Sequence, residues 1–428
     1  MSTLTTFGVH RATTDGELQM EGMSINDIAA RYGTPCFIYS KAALTDAFQR
    51  LDSALKVARK GRPYLICYAV KANSNLAVLR LFASLGAGFD IVSGGELMRV
   101  LEAGGDPDKV VFSGLGKTAA EMKLALEKNI KCFNVESEPE LERLNMVAAK
   151  LNKKARISLR VNPDVDAKTH PYISTGLKNN KFGIAFDRAM DVYRRAAALS
   201  HIEVAGVDCH IGSQLTDDAP LQQAMERIVV LADALAREGV SVRHICPGGG
   251  IGITYKDEST IDLNGYAQSL ESCLGDRNVE LLLEPGRLLV GNAGVLISRV
   301  EFVKLTGSKN FLVIDAAMND LIRPSLYQAH HEVVMAGASH ADAVTQIYDV
   351  VGPVCESADV LAHARALAAR EGDVVAILSA GAYSFVMSSN YNSRPRAAEV
   401  MVDGGSAALV RERETFDDLV KLERLQDR

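Results

Sequence analysis

A lysine directly follows one of the most apolar segments of the chain. Residues 64–70 are all apolar or aromatic, and Lys71 ends the run. This pattern is typical of a strand buried on both faces, whose carboxyl end in a parallel α/β fold is where ligands bind. Partial desolvation there would favour a nucleophilic amine that forms an imine with an aldehyde. A solvated lysine that merely ends the strand is the alternative.

Two further predicted strands carry polar side chains at their carboxyl ends. Asp90 lies at the end of the next predicted strand, close to the hydroxyl of Ser93. His210 lies at the tip of the strand predicted for residues 204–210. Its flat ring could stack on a planar ligand, although a histidine in this position can also be a core residue with satisfied hydrogen bonds.

Three consecutive glycines, Gly248, Gly249 and Gly250, follow the seventh predicted strand. Their backbone N–H groups can surround an anion because no side chain stands in the way. The late strands of a (β/α)8 barrel are the usual position of its phosphate site. A flexible loop is the other interpretation of a glycine run.

Glu284 directly follows the apolar residues 281–283. A carboxylate at the end of a buried strand needs a cationic partner, because desolvation of an unpaired charge is costly. Arg287 could supply that cation in a structural ion pair, and a bound ligand could supply it instead.

Together these residues have the chemistry needed to hold pyridoxal phosphate. Lys71 would bind the aldehyde, His210 the ring, the glycines the phosphate and Glu284 the pyridine nitrogen. A negative carboxylate keeps that nitrogen protonated, which makes the ring a strong acceptor of electrons. Asp90 and Ser213 complete the predicted cofactor contacts in the barrel, whereas no metal site is predicted.

The elements that must position these residues alternate between strand and helix. Eight strands over about 250 residues match the rhythm of a TIM (β/α)8 barrel of the α/β class, with a doubly wound open sheet as the alternative. Beyond residue 289 short β-rich runs predict a mainly β domain, with a weak helix at residues 361–370. The predicted domains are a barrel at residues 36–289 and a β domain at 290–428 with 1–35. The predicted barrel strands are residues 64–71, 88–92, 110–112, 132–135, 156–161, 204–210, 244–246 and 279–284.

The overall composition favours a cytoplasmic protein that binds a small molecule. The net charge of −6 and a pI near 5.9 give no basic surface for nucleic acid. Seven cysteines without a CxxC pair favour reduced thiols. We expect no membrane association, because the N-terminus lacks a signal-peptide pattern and no apolar run reaches about 18 residues.

The motifs described above resemble the barrel half of the fold type III pyridoxal-phosphate enzymes. This group includes alanine racemase and the decarboxylases of ornithine, arginine and diaminopimelate. The resemblance implies a barrel of the alanine-racemase type, a C-terminal β domain, and a homodimer with its active sites at the interface. The matching segments are Tyr68–Asn73, His210–Gln214, Gly248–Gly250 and Glu284–Arg287.

One branch of this group, the diaminopimelate decarboxylases, is indicated by segments outside the first motifs. Asn319–Tyr327 resembles the segment of that branch whose arginine and tyrosine hold the substrate carboxylate, which implies these roles for Arg323 and Tyr327. His170–Gly176 and Lys181–Gly183 are also typical of the branch.

Two more segments of the β domain resemble the same branch. Residues 351–359 resemble the segment that reaches into the neighbouring subunit's site. The resemblance implies that Cys355 lies near the reacting carbon and that Glu356 meets the distal amine of the substrate. Tyr383 lies in a segment that resembles the loop whose tyrosine contacts both cofactor and substrate.

These features predict decarboxylation of meso-2,6-diaminopimelate to L-lysine and CO2, the last step of lysine biosynthesis. Lys71, His210 and Cys355 are the predicted catalytic residues, with Cys355 as the acid. Arg287 and Arg323 offer forked donors that match the distal carboxylate, which an ornithine decarboxylase would not require. Decarboxylation of another amino acid, racemisation and a non-catalytic carrier of the cofactor are the alternatives, and small carriers lack the β domain.

Overall fold

The computed structural model describes residues 8–13, 16–166, 181–337 and 344–426. The chain divides into two compact units, which we name the barrel unit and the β unit. The barrel unit consists of Ala47–Ile253 and Ser259–Leu289. The β unit consists of Met1–Asp46, Thr254–Glu258 and Val290–Arg428.

The barrel unit is built around eight parallel strands that form a closed ring. Each strand bonds to the next one along the chain, and the ring closes where Leu281 pairs with Tyr64. This closure confirms the predicted TIM barrel and excludes the open doubly wound sheet. In chain order the strands are Tyr64–Ala69, Gly88–Ile91, Val110–Phe112, Cys132–Val135, Ala155–Asn162, Ile202–Asp208, His244–Cys246 and Glu280–Leu283.

Helices alternate with the barrel strands, and several begin at a side chain that caps them. Asn75, Ser93, Thr118 and Ser137 each accept a hydrogen bond from a backbone N–H of the first turn. In the described part of the chain, no helix has the length and apolar composition needed to cross a bilayer. The helices are Lys41–Arg59, Leu76–Ser84, Gly94–Glu102, Ala119–Glu127, Glu138–Lys150, Ala189–Ala198, Ala219–Arg237, Leu263–Leu274 and Arg287–Val290.

The interior of the barrel has an apolar layer that includes Leu65, Val111 and Leu282. Polar side chains are also buried inside the barrel, and Ser158 and His244 form one pair of them. His244 Nε2 lies 2.7 Å from Ser158 Oγ, and burial lowers the pKa of His244 to about 3. The ring is therefore neutral near pH 7.

The β unit is organised around a long mixed sheet. Val374–Ile377 pairs with the longest strand of this sheet and with Val333–Met335. A separate small sheet contains His10–Arg11, Leu18–Met20 and Met23–Ser24, and the helices are Ile25–Tyr32, Arg323–Tyr327 and Phe416–Val420. In spatial order the strands of the long sheet are Val360–Leu367, Gln346–Val351, Asn310–Ile314, Gly294–Leu305, Cys36–Ser40, Ala398–Asp403 and Ser406–Arg411.

Two segments differ from the sequence-based expectation. The weak helix predicted at residues 361–370 is wrong, because Val360–Leu367 is a strand that pairs antiparallel with Gln346–Val351. Its alanine-rich composition favours a helix locally, and the sheet pairing overrides that preference. Cys36–Ser40, predicted as part of the barrel domain, lies in the β unit, where it bonds to Gly294–Leu305 and Ala398–Asp403.

Candidate active site

Lys71 and Asp90 form an ion pair at the carboxyl ends of the first two barrel strands. Lys71 Nζ donates to Asp90 Oδ2 at 2.8 Å. The Asp90 carboxylate is fully buried, while 37% of the lysine side chain is exposed. The ion pair therefore holds the Lys71 amine in place. Solutes can reach this amine, whereas the Asp90 carboxylate is inaccessible to them.

Glu284 lies at the end of the eighth strand and is only 6% exposed. Its Oε1 accepts a hydrogen bond from Asn134 Nδ2 at 3.0 Å. The same amide nitrogen donates to Ser113 Oγ at 3.1 Å, and the backbone carbonyl of Asn134 accepts from Lys117 Nζ at 2.8 Å. Asn134, which is itself hydrogen-bonded to Ser113 and Lys117, thus holds the Glu284 carboxyl in one orientation.

The electrostatic environment of Glu284 favours a cationic ligand. Burial raises the pKa of Glu284 well above its ordinary value, and the negative charges of Asp208 and Asp90 raise it further. The positive charges of Lys71 and Arg160 lower this pKa and offset part of the increase. Burial also raises the pKa of Asp208. Oxygen atoms of Asp208 and Glu284 lie within 4.8 Å of each other. A cation bound beside Glu284 would favour its ionised form.

His210 presents a neutral ring at the end of the sixth strand. Burial, together with the positive charges of Arg160 and Lys71, lowers the pKa of His210 well below its ordinary value. Its Nδ1 accepts a hydrogen bond from the backbone N–H of Gly249 at 3.2 Å. Because Nδ1 accepts, the proton of the neutral ring is on Nε2.

The glycine run that follows the seventh strand is packed against neighbouring backbone. A Cβ atom on Gly249 would lie 1.9 Å from the backbone oxygen of Glu284. Gly248 and Gly250 have φ values of +82° and +103°, which side chains disfavour. The backbone oxygen of Gly248 also accepts from the Glu284 N–H at 2.9 Å. The loop is therefore a fixed turn that only glycine fits.

Arg287 begins a short helix just after the eighth strand and is 6% exposed. Its NH2 group donates to Ser213 Oγ at 3.1 Å, which connects the sixth and eighth strand ends. The structure thus brings predicted residues of the barrel unit into contact in four pairs: Lys71 with Asp90, His210 with Gly249, Gly248 with Glu284, and Ser213 with Arg287. Their roles toward a cofactor or substrate stay predictions.

Arg323, in the β unit, is also buried and held by aromatic and imidazole rings. Its NH1 group lies 2.7 Å from His331 Nε2, and its guanidinium carbon lies 4.7 Å from the centroid of the Tyr255 ring. Tyr327, at the end of the same short helix, is half-buried. The helix therefore carries both residues predicted to hold the substrate carboxylate.

Cys355 and Glu356 are both exposed in the β unit. The Cys355 N–H donates to Asn392 Oδ1 at 3.1 Å, and the Tyr391 hydroxyl donates to Glu356. Tyr383 adopts φ +55°, a strained conformation for a residue other than glycine that often accompanies functional loops. The motif predicted at residues 170–176 lies outside the described residues.

Sequence reasoning did not assign Asn134, Asp208, Arg160 or Glu136 to the site. Arg160 NH1 donates to Glu136 Oε1 at 3.1 Å, and the guanidinium carbon lies 4.8 Å from the Phe182 ring centroid. The signal that could have found three of them is a polar side chain within a strand that is otherwise buried. Asn134, Arg160 and Asp208 each have that position.

Comparison with known proteins defines the class of this fold and site. Residues 42–291 match the family model described as the pyridoxal binding domain of pyridoxal-dependent decarboxylases. The curated diaminopimelate decarboxylases of Vibrio cholerae and Pseudomonas aeruginosa are each 57% identical to the chain. The alignments cover 96% and 95% of the chain, and 97% and 96% of the relatives, respectively.

A solved structure agrees with these relatives. The diaminopimelate decarboxylase of Helicobacter pylori, complexed with L-lysine, has a TM-score of 0.88 and 42% identity. The match covers 93% of this chain and 98% of that one. The fold and the matched domain are those of fold type III pyridoxal-phosphate enzymes, as the sequence motifs predicted. Within that class, the chain belongs to the diaminopimelate decarboxylase family.

The residues of the barrel unit fit pyridoxal phosphate. The glycine turn packs directly against the Glu284 backbone, where any Cβ on Gly249 would collide, and its Gly249 N–H holds the neutral His210 ring in place. Asp90 Oδ1 and Asp208 Oδ1 are buried and have no hydrogen-bond partner among the described residues, which leaves two buried acceptors that a bound group could satisfy. Lys71 supplies the amine that an aldehyde requires.

Proposed function

We propose that this chain decarboxylates meso-2,6-diaminopimelate to L-lysine and CO2 with pyridoxal phosphate as its cofactor. One observation carries the proposal: an accessible lysine amine and a buried carboxylate, Glu284, lie at the ends of adjacent strands of one barrel. Membership of the diaminopimelate decarboxylase family supports the choice of substrate. The relative from Helicobacter pylori, which is complexed with L-lysine, supports it further.

The residues of the barrel unit would bind and orient the cofactor. Lys71 supplies the amine that holds the aldehyde, and Asp90 keeps this amine in place. His210 offers the face of a neutral ring, and Glu284, oriented by Asn134, offers a carboxylate to the pyridine nitrogen. When bound, pyridoxal phosphate supplies a conjugated cationic ring that accepts the electron pair left by departing CO2.

The substrate carries a carboxylate and an amine at its distal end, and both need a partner. Arg287 and Arg323 offer planar donors that can hold a carboxylate through two hydrogen bonds. Glu356 offers a negative charge to the distal amine, with Tyr327 and Tyr383 as further contacts. A substrate with only an amine at this end would leave the arginine donors unpaired, which favours diaminopimelate over ornithine.

A proton must replace the carboxylate that leaves. Cys355 is our proposed donor, because its thiol is exposed in the β unit and its backbone is fixed by Asn392. Tyr383 and the freed amine of Lys71 would support it. We further propose that Cys355 and Glu356 act in the active site of a second copy of the chain.

We also propose a homodimer that works in the cytoplasm. Phe302 and Ile347 are 60% and 56% exposed in the β unit. Phe302 pairs with Val313, and Val313 pairs with Val351 on the next strand, so these three side chains lie on one face of the sheet. Ile347 lies four residues before Val351, and side chains alternate between faces along a strand, so Ile347 lies on that same face. Such an exposed apolar face supports contact with a second copy. All seven cysteines are free, which suits a reducing compartment.

The test is CO2 release from meso-diaminopimelate by the purified, cofactor-loaded protein, with ornithine, arginine and lysine assayed in parallel. Release from diaminopimelate alone supports both the reaction and the arginine contacts. Release only from ornithine, arginine or lysine overturns the substrate assignment, and no release from any of the four overturns the decarboxylase proposal.

A further inference from the structure

Arg323 is held in the β unit by a histidine that neither the motifs nor the comparisons assign. His331 is fully buried, with 0% of its surface exposed. Its Nδ1 lies 2.8 Å from the backbone oxygen of Leu378, and its Nε2 lies 2.7 Å from Arg323 NH1. The imidazole therefore connects the predicted carboxylate-binding arginine to the end of a strand.

The partners on both sides of the ring fix its tautomer. A carbonyl oxygen can only accept a hydrogen bond, so Nδ1 of His331 carries the proton and donates to Leu378. A guanidinium group can only donate, so Nε2 accepts from Arg323 and the ring is neutral. His331 thus acts as a rigid acceptor that determines where one N–H of Arg323 points.

A second contact fixes the plane of the guanidinium group. The Arg323 guanidinium carbon lies 4.7 Å from the centroid of the Tyr255 ring. The Tyr255 ring in turn meets the edge of His331, with centroids 5.4 Å apart and an interplanar angle of 80°. A planar group with one directed hydrogen bond and one stacked face has little freedom to rotate.

The histidine itself is anchored by backbone contacts. Arg365 NH2 donates to the backbone oxygen of His331 at 3.0 Å. The Leu378 N–H donates to the backbone oxygen of Glu332 at 2.8 Å, next to the pairing of Val333 with Ile377. Because sheet backbone supports the acceptor, Arg323 is preorganised before any ligand arrives.

We propose that His331 is a positioning residue, which together with Tyr255 orients Arg323 for the carboxylate that substrate and product share. The inference rests on the proposed function, because it uses Arg323 as the partner of that carboxylate. A carboxylate held by two parallel N–H groups is sensitive to the direction of the guanidinium plane. Loss of orientation should therefore weaken ligand binding without altering the chemistry at the other end of the substrate.

The experiment compares kcat and KM for meso-diaminopimelate in the holoenzyme and in its His331→Leu variant. We expect KM to rise about tenfold, the equivalent of one hydrogen bond to a charged group, with kcat within about twofold of wild type. His331→Gln retains an acceptor toward Arg323 and should restore most of the affinity. His330→Gln, at a neighbour that contacts Glu332 and Arg365, is the matched control and should leave KM unchanged.

Two inhibitors isolate the carboxylate contact. L-lysine has the carboxylate, and cadaverine lacks it but has the same carbon chain and amines. The wild-type preference for L-lysine over cadaverine should fall in both His331→Leu and Tyr255→Leu. Tyr255→Leu also provides a test if His331→Leu does not fold, because it removes the aromatic ring beside Arg323 and His331 but leaves both groups of the hydrogen bond between them.

A double-mutant cycle separates this inference from the proposed function. If His331 acts through Arg323, adding His331→Leu to Arg323→Leu should change KM by less than about twofold. If His331→Leu raises KM as much in the Arg323→Leu background as it does in the wild-type protein, the positioning role is overturned. If Arg323→Leu alone leaves KM unchanged, the substrate contact assigned to Arg323 fails, and the inference fails with it.

Discussion

Replacement of Asn134 by leucine should weaken cofactor binding through Glu284. Leucine has a similar size, so the barrel interior stays filled, while the donor to Glu284 Oε1 is lost. A hydrogen bond to a charged group contributes about 1.5–3 kcal/mol. Since about 1.4 kcal/mol corresponds to a tenfold change in Kd, we expect pyridoxal phosphate to bind roughly 10- to 100-fold more weakly.

The physical reason is the state of the Glu284 carboxyl. Burial already raises the pKa of Glu284, and loss of the amide donor raises it further, so that less of the ionised form is available to a protonated ring nitrogen. The assay is titration of the apoprotein with pyridoxal phosphate, followed by absorbance. Ser113→Ala is the control, because it retains the contact between Asn134 and Glu284. Asn134→Leu with a wild-type Kd and an unchanged melting temperature would refute the reasoning.

Three further predictions concern the catalytic and cofactor-binding residues. Lys71→Ala should abolish CO2 release, and substantial turnover without this lysine contradicts its role as the residue that holds the cofactor. Cys355→Ala should retain cofactor absorbance while slowing turnover, whereas an unchanged rate removes its proposed role as the acid. Gly249→Ala should lower the melting temperature and cofactor retention, because its Cβ would lie 1.9 Å from the backbone oxygen of Glu284. Overpacking of this kind lowers the free energy of unfolding by about 1–3 kcal/mol or more. Gly116→Ala, where a Cβ meets nothing within 4 Å, is the control, and equal behaviour of both variants contradicts the packing argument.

The barrel and much of its predicted site followed from sequence because parallel strands end at one edge. Once residues 64–70 are identified as a buried strand, Lys71 must lie at that edge, and the same argument places Glu284. The hydrophobic pattern of the predicted strands could therefore indicate which side chains lie at the same edge of the barrel, although it could not give the distances between them.

The supporting contacts were less accessible to sequence reasoning. Asn134 and Glu284 are 150 positions apart, and their pairing depends on closure of the ring. The strand Val360–Leu367 was missed because its alanine-rich sequence favours a helix until Gln346–Val351 pairs with it. The tautomer of His331 is set by Leu378 and Arg323, whose contacts depend on tertiary structure.

The position of Cys36–Ser40 has a consequence for the order of folding. This strand is made early in synthesis, yet in the sheet it bonds to Gly294–Leu305 on one side and Ala398–Asp403 on the other. Contacts so distant in the chain form slowly, because a long loop must close first. The strands of the barrel, between residues 64 and 283, are made before either partner. The segment at residues 36–40 therefore has no strand partner until Gly294–Leu305 has been made, and its other edge stays open until Ala398–Asp403 follows.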